Sequence, residues 1–153
     1  RSVYTFQKRT APFAMTTTFD GPTGEACLPR REVSNSPLQA LTLLNDPMFL
    51  EIARALGKVA VAAGDDDAAR LGALGRRLLS RAFATEEAEV LLAYLAEQRL
   101  RLAAGELDAA ALLGLESGEA ASDAAGTEAV REQAAWMLVA RAVMNLDEAI
   151  VKR

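Results

Sequence analysis

Arg30 and Arg31 stand just ahead of a helix-start signal, Ser36-Pro37-Leu38-Gln39. Two guanidiniums placed there could converge with the free N–H groups of the helix N-terminus on an anion. The simpler use is to pair with carboxylates and carbonyls and pin the segment before the helix, and we carry that reading forward. Asn35, Asn45 and Asp46 lie on either side of the same helix. An amide beside a carboxylate could hold a metal or a sugar, but helix capping accounts for Asn45 and Asp46 without a ligand. Near the other end come Asn145, Asp147 and Glu148. Read as the end of a long helix, this is where the dipole disfavours acid, so a specific partner is expected, with Arg9, Arg30 and Arg31 the natural ones. A structural ion pair is the expectation there rather than a catalytic carboxylate pair. Cys27 sits in Glu25-Ala26-Cys27-Leu28-Pro29 and reads as a buried, inert thiol, although Arg30 is near.

Much chemistry is excluded outright. The chain has no histidine, which removes Ser–His and Cys–His pairs, histidine-ligated zinc and Cys-x-x-Cys-His haem attachment. One cysteine allows no internal disulfide. There is no glycine-rich phosphate loop, zinc spacing or nucleophile elbow, so no metal, haem or other cofactor is expected within this chain. The net charge of −4 argues against a general nucleic-acid binder. That charge is uneven: five basic and three acidic residues over 1–32 leave the acid excess to the rest. The bland reading is a basic segment docked on an acidic body; the sharper one is an anion site. No apolar run approaches the ~18 residues of a membrane span. The sequence opens Arg1-Ser2-Val3-Tyr4, without methionine or secretion signal, and reads as a fragment of a longer protein.

The elements that must position these residues follow from pattern. The 153 residues make one domain, 1–153, with an arm over 1–35 and a helical body over 36–153. Val3-Tyr4-Thr5-Phe6 and residues 15–19, Met-Thr-Thr-Thr-Phe, are β-branched and aromatic and suit extended chain or a β-hairpin. Asp20-Gly21-Pro22-Thr23-Gly24 is a turn signal. Ser36 caps a helix to Asn45, with Pro37 at its first position and Gln39 closing a capping box. Asp46-Pro47 repeats the pattern and starts a second helix to about Gly64, with Phe49, Ile52, Leu56 and Val59 inward. A third opens at Asp65-Asp66-Asp67 around Leu71, Leu74, Leu78 and Ala82. Thr85 caps a fourth, to Gly105, with Leu91, Leu92, Leu95 and Leu102 inward. Residues 107–113 form a short fifth and 114–126 a loop. Thr127 caps a last helix, lined by Ala135, Val139, Ala142, Leu146 and Ile150. Trp136 is assigned to the core or to a domain contact. The fold class is mainly α: a five- or six-helix, bundle-like domain with a short extended or hairpin N-terminal arm.

Three stretches together resemble a known family. They are Arg1-Ser2-Val3-Tyr4 with Lys8-Arg9-Thr10, the run from Arg30 to Phe49, and Trp136 with Asn145-Leu146-Asp147-Glu148. They are similar to the planctomycete PSD-type domain of unknown function. The resemblance implies a C-terminal domain of a larger, exported or periplasmic protein that often carries a c-type cytochrome domain. It brings no catalytic residues. The leading expectation is a non-catalytic accessory or interaction module that meets other domains of its parent chain. Arg30, Arg31, Asn35, Asn45 and Asp46 would order the arm and the helix starts, with Asp147 and Glu148 as ionic partners. One alternative is part of an enzyme, possibly carbohydrate-active, whose site is shared with a further domain. A cleft joining Asp20, Arg31, Asn45 and Asp147 would favour it. A second alternative is a docking surface for a redox partner.

Overall fold

The computed structural model describes residues 5–6, 8, 11–22, 29, 33–115 and 124–151. Across them the chain is mainly helical and forms no strand. The elements are α1 (Ala14–Thr18), α2 (Pro37–Asn45), α3 (Pro47–Ala62), α4 (Asp67–Leu78), α5 (Thr85–Ala103), α6 (Ala109–Leu113), α7 (Ala124–Met144) and α8 (Asp147–Ile150).

The helix starts show why the chain divides where it does. Ser36 Oγ accepts from the Gln39 N–H at 3.3 Å, and Gln39 Oε1 accepts from the Ser36 N–H at 3.0 Å, which closes the expected box. Asp46 ends α2 and starts α3, its Oδ1 taking the Met48 N–H at 2.9 Å. Asp66 caps α4 and Asp108 caps α6 in the same manner. Gly114 closes α6 at φ 69°, a left-handed position suited to glycine.

Several expectations need correction. Residues 14–18 are helical, not extended: Thr18 Oγ1 bonds back to the Ala14 carbonyl at 3.0 Å, and β-propensity is easily overridden in so short a run. The pairing seen nearby among the described residues is an isolated bridge between Lys8 and Ala11, and Val3 and Tyr4 of the expected extended arm lie outside the described residues. Thr85 does not cap α5 but is its first residue; Glu87 reaches back to the Ala84 N–H at 2.8 Å instead. Thr127 lies inside α7, which begins three residues earlier. The last helix is two helices, because the Asn145 and Leu146 N–H groups tighten onto Ala142 and Val143 and Leu146 turns extended.

α7 is the axis of the body. Ala134 to Ala140 are all buried, Trp136 completely, so this stretch is apolar around its whole circumference. α3 lies along it, and α5 and α6 cover other sides. Gly57 lets α3 approach closely: a Cβ there would stand 2.8 Å from the Met137 backbone nitrogen and 3.0 Å from the Gln133 carbonyl oxygen. α3 therefore turns Ala53, Leu56 and Ala60 inward and leaves Ile52 39 % exposed, against the expected inward placement of Ile52. Leu71 and Leu74 of α4 and Leu95 and Leu102 of α5 complete the core.

Candidate functional site

The segment before α2 meets α1, α2 and α8 in one polar cluster. Asp20 follows α1 with φ 55°, a conformation short polar side chains tolerate. It accepts from the Ser34 N–H at 2.7 Å and from Ser34 Oγ at 2.7 Å. The next residue, Asn35, donates from Nδ2 to Asp147 Oδ1 at 2.7 Å. Gln39 joins the two ends from α2. Its Nε2 donates to the Thr18 carbonyl at 2.9 Å and to Ser34 Oγ at 3.0 Å, and the residue is only 1 % exposed. Phe19 adds a tilted ring contact with Phe49 of α3, centroids 5.8 Å apart.

The structure thus brings Asp20 and Asp147 onto adjacent residues, Ser34 and Asn35. It does not bring Asn45 into their hydrogen bonding. Asn45 ends α2 and its Nδ2 donates to the Leu41 carbonyl at 2.9 Å. Asp46 serves α3 as described. Arg9, Arg30, Arg31 and Cys27 lie outside the described residues. Among those described, no three His, Cys, Asp or Glu side chains gather as a metal site.

Asp147 and Glu148 occupy the first turn of α8, not the end of a long helix. The dipole favours acid there, and the arginines expected as partners, Arg9, Arg30 and Arg31, lie outside the described residues. Glu148 meets Arg81 of the α4–α5 connection, whose Nη2 lies 2.7 Å from Glu148 Oε2. The same guanidinium grips Glu87 with two bonds, at 2.7 and 2.8 Å. Arg81, and then the Ala84 N–H, hold the Glu87 carboxyl down at about 2. Arg81 likewise lowers Glu148 and is itself raised above its ordinary range.

A second ion cluster ties α4, α5 and α7. Arg99 of α5 bonds Asp67 at 2.6 and 2.8 Å and Glu132 at 2.9 Å. Arg70 reaches Glu132 at 2.7 Å, and the Trp136 indole N–H donates to the same carboxylate at 2.9 Å. Asp67 is lowered chiefly by its bonds to Arg99. Burial by itself would raise Glu132; Arg99, Trp136 and Arg70 outweigh it and hold that carboxyl below the usual range. Arg141 of α7 donates to the Leu44 carbonyl at 2.7 Å and so closes the C-terminal end of α2.

Sequence reasoning gave Gln39 a capping role and missed its burial. The signal was available, since Gln39 and Leu43 lie one turn apart and both face inward. Arg81, Arg99 and Glu132 carried none: Arg99 and Glu132 are 33 residues apart and Arg81 and Glu148 are 67 apart.

The surface beside the cluster has the opposite character. α2 contains no charged residue, and Leu38 and Leu41 on its outer side are 60 % and 56 % exposed. On α3, Met48 and Ile52 are exposed as well.

A family model described as PSD1, protein of unknown function (DUF1553), matches residues 1–95. No curated protein and no solved structure matches the chain.

Proposed function

This chain belongs to the PSD1 family of proteins of unknown function (DUF1553), and from that membership we propose that it is a non-catalytic accessory or interaction module of a larger, exported protein, meeting that protein's other domains. The motif resemblance supports a planctomycete parent with a c-type cytochrome domain and this domain at its C-terminal end. One observation carries the non-catalytic reading: the acidic and amide groups of the cluster are engaged within the fold. Asp20 holds Ser34, Asn35 holds Asp147, and Glu148 holds Arg81. A general acid or base must instead reach the proton it transfers on a substrate. The uncharged outer face of α2, with Leu38 and Leu41 exposed, supports the interaction half of the reading.

The test is to melt the wild-type chain and Asp147→Ala against sugars, sulfate, phosphate and divalent metals. A ligand that binds only the folded state raises the melting temperature in a saturable manner. The expected result is no such rise for either protein. Asp147→Ala should melt lower than the wild type by at least about 2–4 °C, the equivalent of roughly 1 kcal/mol for the lost bond to Asn35. A saturable rise in the wild type that disappears in Asp147→Ala would overturn the proposal.

A further inference from the structure

We draw no further inference here: the strongest candidate, the shallow groove between the end of α5, α6 and the first half of α7, lined by Leu102, Leu107, Asp108, Val130 and Arg131, presents acid and base together, and nothing in the structure shows what fills it.

Discussion

Gln39 uses both ends of its amide. The oxygen accepts from the Ser36 N–H, and the nitrogen holds the Thr18 carbonyl and the Ser34 hydroxyl. A leucine of similar size would fill the space but remove all three of these bonds, and only Ser34, through Asp20, would keep another partner for its hydroxyl. Gln39→Leu should therefore destabilise the chain by about 2–3 kcal/mol, read from urea unfolding. Alanine at Ser36, which removes only the cap, should cost about 1 kcal/mol. Equal losses in the two variants would show that Gln39 does no more than cap. Glu87 gives a prediction in pH. Its folded pKa, about 2, lies below its ordinary value of 4.5, so the unfolded chain binds the proton first and acid favours unfolding. The contribution is complete above 4.5 and disappears as pH falls toward 2. Asp67, Glu132 and Glu148 are lowered too and act in the same direction. The melting temperature should hold steady from neutral pH down to the ordinary carboxylate range and then decline. Glu87→Gln should melt lower at neutral pH and decline less steeply in acid. A parallel decline in both proteins would count against the Arg81–Glu87 pair as a source of the slope.

Helix packing turns on how closely α3 can approach α7. At Gly57 the added methyl of Gly57→Ala would meet backbone atoms of Met137 and Gln133, which cannot swing aside as a side chain can. Overpacking of this kind costs about 1–3 kcal/mol, against the roughly 0.4–1 kcal/mol gained from alanine's better helix propensity and smaller unfolded-state entropy. Gly72 is the control, because its nearest neighbour is the end of the flexible Arg76 side chain at 3.3 Å. Gly72→Ala should be neutral or stabilising in the same denaturation experiment. Stabilisation by both would mean that α3 and α7 are farther apart than described. Elements were the most legible scale of this sequence. Ser36-Pro37 and Asp46-Pro47 mark helix starts because capping is local chemistry, readable within four residues. The inward faces of α4 and α5 were legible because each has a wet side and a dry side. α7 was harder to read. A helix buried all round between 134 and 140 has no stripe, so the choice of Ala135, Val139, Ala142, Leu146 and Ile150 as its inner face named residues that are not distinctive. Leu146 is in fact 39 % exposed, because the helix has already ended. That Asp147 would meet the segment before α2 was legible, and Asn35 is there; the Arg81 partner of Glu148 was not, since it comes from 67 residues away and depends on the break that starts α8.

The whole molecule is organised around an element that the family match leaves out. Residues 1–95 end inside α5, at Leu95, whose side chain is 1 % exposed when α7 is present. The faces of α3, α4 and α5 that carry Leu56, Leu71, Leu74 and Leu95 belong to the same core as Trp136, Met137 and Val139 of α7. A fragment cut at residue 95 would open this core to water, where each fully bared leucine forfeits about 1.5–3 kcal/mol of burial. That exceeds the stability of an ordinary domain within a few side chains. The fragment 1–95 should therefore show no cooperative unfolding by circular dichroism, whereas residues 1–151 should melt in one transition. A cooperative melt of 1–95 would locate the folding unit within the family match instead. Trp136 has a practical consequence of its own. It is the sole tryptophan in the chain, wholly enclosed, with its indole N–H on Glu132 beneath the guanidinium cluster. Its emission is thus a label-free reporter, blue-shifted while α4, α5 and α7 stay closed and moving to the red when that junction lets solvent in.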